Sequence, residues 1–120
     1  YNFNLKKIDG GILTFEAIHP KWSYAKVDKN NMVSEVAEKK VISKNATVGV
    51  YYWKKGSDYI KYAESMIKKN IRIKNEFYVC PVYNEAIRKK KRIIIDKVKE
   101  MHGLGTPDDL NNFISKKLKY

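Results

Sequence analysis

The chain has 120 residues, 43% hydrophobic and 32% charged, with three Pro and six Gly, the composition of one globular domain rather than of a disordered or fibrous segment. A chain of this length buries roughly two-thirds of its unfolded surface around a single core and needs no disulfide or structural metal. The lone Cys80 excludes an internal disulfide and reads as a small buried hydrophobe of a reducing compartment. No apolar run approaches the ~20 residues of a membrane helix, and no basic stretch leads into an apolar segment as a secretory signal requires. A cytoplasmic protein is expected, and the start at Tyr1 rather than Met reads as a fragment of a longer polypeptide.

The formal charge is +12, from 25 basic and 13 acidic side chains, enough to attract phosphates, nucleic acids or acidic lipid surfaces. Arg72, Arg88 and Arg92 are the only arginines, so 22 of the cations are lysines. Specific nucleic-acid readers favour arginine, which binds phosphate and guanine bidentately. The basic runs at Lys68–Lys69, Arg88–Arg92 and Lys116–Lys119 fall at the ends of expected helices, where cations complement the helix dipole. Neither nucleic acid nor membrane is therefore the expected partner, and a basic nucleic-acid-binding module is the alternative.

In chain order, Gly10 and Gly11 lead into a strand over 12–18 that His19 and Pro20 end. Alternation over 22–27 and 32–37, with turn chemistry at Asp28–Asn31, predicts a hairpin whose register puts Val33 and Val36 on different faces. A strand over 46–53 contains Gly49, a residue that weakens strands. The period then changes to 3.6. Gly56 and Ser57 open a helix with Ser57 as N-cap, Asp58 in the first turn, Ile60, Ala63 and Ile67 on the apolar face, and Asn70 at the close. A second helix is predicted over 79–90, with Val79, Val82, Tyr83, Ala86 and Ile87 as its stripe and Pro81 tolerable only in the first turn. The run Ile93–Ile95 predicts a strand over 92–98 buried on both faces, as in the middle of a mixed or parallel sheet. Thr106 as N-cap, Pro107, Asp108 and Asp109 mark a last helix carrying Leu110, Phe113, Ile114 and Leu118.

This order indicates an α/β arrangement of a sheet and flanking helices, in which ligands bind at strand ends. A P-loop, a GxGxxG, and CxxC or HExxH metal signatures are missing. His19 and His102 are the only histidines, which gives a Ser, His and Asp hydrolase little support. His19 reads as a turn residue.

Four ordered pieces of sequence carry a resemblance. They are Glu35–Lys40 (EVAEKK), Ala46–Tyr52 (ATVGVYY), Asn75–Tyr78 (NEFY) and His102–Pro107 (HGLGTP). Together they look like the C-terminal half of a sugar-phosphate nucleotidylyltransferase domain, of the kind found in glucose-1-phosphate thymidylyl- and cytidylyltransferases, over nearly the whole chain from about Asp9 to Phe113. The resemblance implies the C-terminal portion of a Rossmann-like, GT-A-like α/β fold with a mixed sheet flanked by helices. It further implies transfer of a nucleoside monophosphate from an NTP to a sugar phosphate or similar acceptor, with release of pyrophosphate, in cell-surface polysaccharide precursor synthesis. The partners implied are the NTP and the phosphorylated acceptor, with a homo-oligomer as an option. The half that carries the Gly-rich triphosphate loop is not in this sequence, so residues 1–120 correspond to the acceptor-binding half.

Residue by residue, the resemblance assigns Lys39 as the catalytic cation and Ser23, Glu38, Gly49 and Glu76 to the acceptor. Ser23 stands where the family often has a backbone-contacting Gly, and Glu38 with Lys39 matches its Glu-Lys pair. Gly49 matches a Gly lining the acceptor pocket, and Glu76 a carboxylate that accepts bonds from acceptor hydroxyls. The residues also carry plainer readings. Lys39 is one of 22 lysines and fits a solvated strand end. Gly49 admits either a ligand or a packed helix close to its backbone. Glu76 fits a helix N-terminal carboxylate. Many members have a metal-binding Asp where this chain has Gly103. Mg²⁺, expected in such enzymes, would then rest on the triphosphate, waters and a carboxylate from elsewhere, or be approached by Asp96 or Asp108. That departure keeps a non-catalytic phospho-ligand-binding domain as a further alternative.

Overall fold

A computed structural model describes residues 7–117, the side chain of Lys117 excepted. Its elements are β1 (Gly10–Glu16), β2 (Ser23–Val27), β3 (Val33–Glu38), β4 (Asn45–Trp53), α1 (Gly56–Lys68), α2 (Val82–Arg88), β5 (Ile93–Lys97) and α3 (Pro107–Lys117). The five strands form one mixed sheet in the order β3-β2-β4-β1-β5. β5, entering after two helices, lies parallel to β1, and the other neighbours are antiparallel. The α/β class with a mixed sheet and flanking helices is as the sequence indicates.

One face of the sheet offers Ile12, Ala25, Val33, Val36, Ile93 and Ile95, which pack on Tyr62 and Met66 of α1 and on Val82, Tyr83 and Ala86 of α2. Trp53 stacks flat on Tyr83 with ring centroids 4.3 Å apart. Residues at alternate positions, Leu13, Tyr24 and Ala46, are also buried, and Phe15 meets Trp22 edge to face. The outer edge of β3 is closed by Asn84, whose side-chain oxygen accepts from the Val36 N–H and whose amide donates to the Val36 carbonyl, both at 2.8 Å. A side chain thus satisfies backbone groups that an open edge would leave exposed.

The structure corrects several sequence expectations. Val33 and Val36 share the core face, because Val27 pairs with Val33 while Lys26 pairs with Glu35. Ser34 is therefore an extra, bulged residue that shifts the alternation by one. In α1 the N-cap is Lys55, with no side-chain cap, and Ser57 lies inside the first turn. The buried stripe is Tyr62 and Met66, whereas Ile60 and Ile67 are 58% and 52% exposed. Two stripes one residue apart are both helically spaced, and the one carrying aromatic area for Trp53 to pack against wins. α2 is shorter than predicted: Pro81 is its N-cap and Val79 precedes it, exposed. β5 is at the end of the strand order rather than in its middle, and a lone antiparallel bridge from Met32 to Ile94 partly covers it. Asn70 closes α1 in the left-handed region (φ 54°), with the Ile71 N–H reaching the Met66 carbonyl. Thr106 caps α3 through the Asp109 N–H at 3.0 Å. Leu118 lies outside the described residues.

Candidate functional site

One row of residues crosses the sheet where the core ends. Glu38 of β3 pairs with Ser23 of β2. The antiparallel register Tyr24↔Ala46 then sets Ser23 beside Thr47 of β4, Thr47 pairs with Thr14 of β1, and Thr14 with Lys97 of β5. Each member is two residues along its strand from a core position or from that position's partner. The row lies on the helix-facing side, at the carboxyl ends of the parallel strands β1 and β5. Ligands of open α/β sheets bind at that end.

The row is polar, Thr14, Ser23 and Thr47 are buried, and its middle is hydrogen-bonded. The Ser23 hydroxyl lies 2.9 Å from that of Thr47, and the Thr47 hydroxyl is 2.9 Å from the Tyr51 phenol, with Ser23 and Tyr51 3.4 Å apart. Tyr51 reaches Thr47 because β4 bulges. Ile12 pairs with Tyr51 and Thr14 with Thr47, so three residues of β4 stand opposite the single Leu13. Gly49, at the bulge, has φ +92°, a conformation that L side chains rarely adopt. Its Cβ position is open space. Backbone conformation, not a packed helix, explains this glycine.

The electrostatics single out Glu38. Burial raises its carboxyl above the ordinary value of 4.5, while the Ser23 hydroxyl and the Lys39 charge pull the other way and do not win. Among the described residues no cation comes within salt-bridge distance of it. Burial, reinforced by the Glu38 charge, also pushes the Tyr51 phenol and the Cys80 thiol each up to about 12. Cys80 therefore stays a thiol at neutral pH and is no nucleophile. Lys39 follows β3 directly, in the left-handed region (φ 57°). Its N–H still bonds the Trp22 carbonyl at 3.1 Å while its ammonium sits 5.5 Å from the centre of the Tyr78 ring.

Of the residues expected from the sequence, Ser23, Glu38 and Lys39 come together here. Gly49 serves the bulge that brings in Tyr51. Glu76 is exposed, two residues from Tyr78, in a tight turn. Ile73 and Glu76 exchange both backbone hydrogen bonds, and Lys74 and Asn75 between them have φ 52° and 66°, as in a type I′ turn. It is not a helix N-terminal residue. Thr14, Thr47, Tyr51 and Cys80 were not anticipated as site members. Ser and Thr within otherwise apolar strands are the signal for Thr14 and Thr47, and Tyr51 and Cys80 carry none. His19 is a turn residue as expected, its Nδ1 accepting from the Lys21 N–H.

Among the described residues no group of three or more His, Cys, Asp or Glu could hold a metal ion. A side chain at Gly103 would meet Trp22 at 3.2 Å and the Asp109 carboxylate at 3.6 Å, so an Asp there would put two carboxylates together. Asp108 is exposed in the first turn of α3. Among the described residues neither position belongs to a cluster of metal-ligating side chains. A separate cleft of about 220 Å³ between α1 and α2 includes Ser65, Lys69, Glu85 and Arg88 in its lining. The Glu85 carboxylate there is already taken by the Ser65 hydroxyl (2.9 Å), the Lys69 ammonium (2.6 Å) and Arg88.

No family model matches the chain, and no curated protein does. Solved structures do match. The nucleoside-diphosphate-sugar pyrophosphorylase of Vibrio cholerae RC9 superposes with a TM-score of 0.84 at 25% identity, over 97% of this chain and 50% of that one. A Bacillus anthracis protein described as a glucose-1-phosphate thymidylyltransferase, solved with a sucrose, gives 0.61 at 18% identity over 95% of this chain and 46% of that one. A CMP:2-keto-3-deoxy-manno-octonic acid synthetase complexed with CTP gives 0.55 at 12% identity over 92% and 49%. The chain spans about half the length of these structures. It shares its fold with sugar nucleotidyltransferases.

Proposed function

We propose that this chain is the acceptor-binding half of a nucleotidyltransferase that transfers a nucleoside monophosphate from an NTP to a sugar phosphate or similar phosphorylated small molecule. The observation that carries the reading is the convergence of Glu38, Ser23 and Lys39 on one strand-end site in a chain that matches a nucleoside-diphosphate-sugar pyrophosphorylase over 97% of its length. In the reaction an acceptor phosphate oxygen forms a bond to the α-phosphorus of the NTP. The bond from that phosphorus to the bridging oxygen breaks in line, and pyrophosphate leaves with the electron pair. The attacking oxygen is already anionic, so no protein base is required, and the protein contributes alignment and positive potential. Lys39 supplies a compact cation for the acceptor phosphate. Glu38, ionised and therefore purely an acceptor, takes a hydroxyl or ammonium donor of the same molecule. Glu76 extends the set of acceptor-hydroxyl partners. The steps above use the groups of this chain and of its substrates, and among the described residues no cluster of three or more metal-ligating side chains forms.

The test is acceptor-dependent pyrophosphate release. The 120-residue chain alone gives none with any NTP and acceptor, whereas the full-length polypeptide with a nucleotide-binding half does. Turnover by the short chain would contradict the half-site reading.

A further inference from the structure

The hydroxyls of Ser23, Thr47 and Tyr51 lie 2.9 to 3.4 Å from one another, with Ser23 paired across the strands to Glu38. We propose that Tyr51, Thr47 and Ser23 act as a chain of positioning residues that fixes the Glu38 carboxylate for the acceptor. The inference rests on the acceptor-site reading above.

Proton counting gives the chain its direction. Each hydroxyl has one proton to donate and lone pairs to accept with. Ser23 is the cross-strand partner of Glu38, and its hydroxyl favours the ionised carboxylate, the direction in which a donor acts on a group that can only accept. Ser23 then accepts from Thr47 at 2.9 Å, and Thr47 from Tyr51 at 2.9 Å. Tyr51, the most acidic of the three hydroxyls, heads the chain as donor. In this order each hydroxyl uses its one proton toward Glu38, and aligned hydrogen bonds in a buried setting strengthen one another. Ser23 and Thr47 are buried, so water does not compete. The bulge at Gly49, costly in a strand, makes the Thr47–Tyr51 contact. A carboxylate beside a hydroxyl whose own position is fixed by two further hydroxyls has a restrained polar neighbour, as preorganised binding requires.

The experiment uses the full-length polypeptide containing this chain. Pyrophosphate release is measured with CTP and dTTP against a panel of hexose 1-phosphates, ethanolamine phosphate and phosphoserine. Thr47→Val removes the central hydroxyl at nearly constant shape, Tyr51→Phe removes the head, and Thr47→Ser restores the chain. Thr47→Val is expected to lower kcat/KM for the acceptor about 10- to 100-fold while the KM for the NTP stays within twofold. Tyr51→Phe should act in the same direction, and Thr47→Ser should recover to within about threefold of wild type. A purely structural role would lower the melting temperature and leave the acceptor KM in place. If Thr47→Val does not fold, Tyr51→Phe decides. Wild-type acceptor kinetics in the folded hydroxyl-deleted variants, or Thr47→Ser as damaged as Thr47→Val, overturns the inference while leaving the function reading standing. A wild-type protein that turns over no acceptor in the panel overturns the function reading, and this inference with it.

Discussion

Glu38 and Glu85 are both carboxylates withdrawn from water, and the protein treats them in opposite ways. Glu85 has a side chain only 2% exposed. Burial pushes its pKa up, but hydrogen bonds from Lys69 and Ser65 and the charges of Arg88 and Lys69 more than offset this and hold it below the ordinary 4.5. Glu38 has the neighbouring Ser23 hydroxyl and Lys39 charge but no ion pair among the described residues, and burial keeps its pKa raised. A fully compensated buried carboxylate clamps two helices together. An under-compensated one at strand ends has bonding capacity left for a ligand, and such groups mark candidate sites.

The largest effect expected from this contrast is on turnover. In the full-length protein Lys39→Ala and Glu76→Ala should each lower kcat/KM by at least ~10²-fold with an unchanged melting temperature, as loss of a charged positioning group does. Steady-state kinetics beside calorimetry would show this, and near wild-type rates in both variants would remove the residue assignments. Glu38 sharpens the contrast through pH. With its folded pKa raised, the ionised form that accepts from the substrate is lost as pH falls through a value above 4.5. The acid limb of kcat/KM for the acceptor should therefore lie above 4.5 and disappear in Glu38→Gln.

Glu85 should move stability instead. Glu85→Ala strands two cations that are about half exposed and can rehydrate, so the expected loss is about 2 kcal/mol, read by urea denaturation, with little effect on acceptor kinetics. Because its folded pKa is depressed, the contribution of Glu85 is present above the unfolded value and lost as pH falls below 4.5 through the folded one. For Glu38 the sign reverses: its folded state holds the proton more tightly, so its contribution favours folding at low pH and fades as pH rises through its raised value. Acid titration of stability in Glu85→Gln should flatten below 4.5, and no flattening would contradict the clamp. The smallest effect is at the bulge. Gly49→Ala must adopt φ +92° and should cost about 1 kcal/mol, together with a weaker acceptor kcat/KM if the bulge aligns Tyr51.

Much of this was legible in the sequence, because strand runs, caps and turns act locally. Thr106 and Pro107 set α3, Asn70 closed α1, and the turn residues fell between the two hairpin strands. What failed was set by tertiary choice. The Ser34 bulge moved Val33 onto the face of Val36, and the stripe of Tyr62 and Met66 displaced Ile60 and Ile67 because Trp53 and Tyr83 offered aromatic area on that side. The adjacent Glu38 and Lys39 could be read from a motif. Ser23, Thr47 and Tyr51 act together only through strand register and the two extra residues in β4, and neither leaves a local mark.

The most direct test of the central claim is pyrophosphate release from an NTP by the full-length polypeptide, with and without a phosphorylated acceptor. The account predicts release that requires the acceptor, yields one nucleoside-diphospho-acceptor per pyrophosphate and falls at least ~10²-fold in Lys39→Ala. Release that is independent of any acceptor, or indifferent to Lys39, would contradict it.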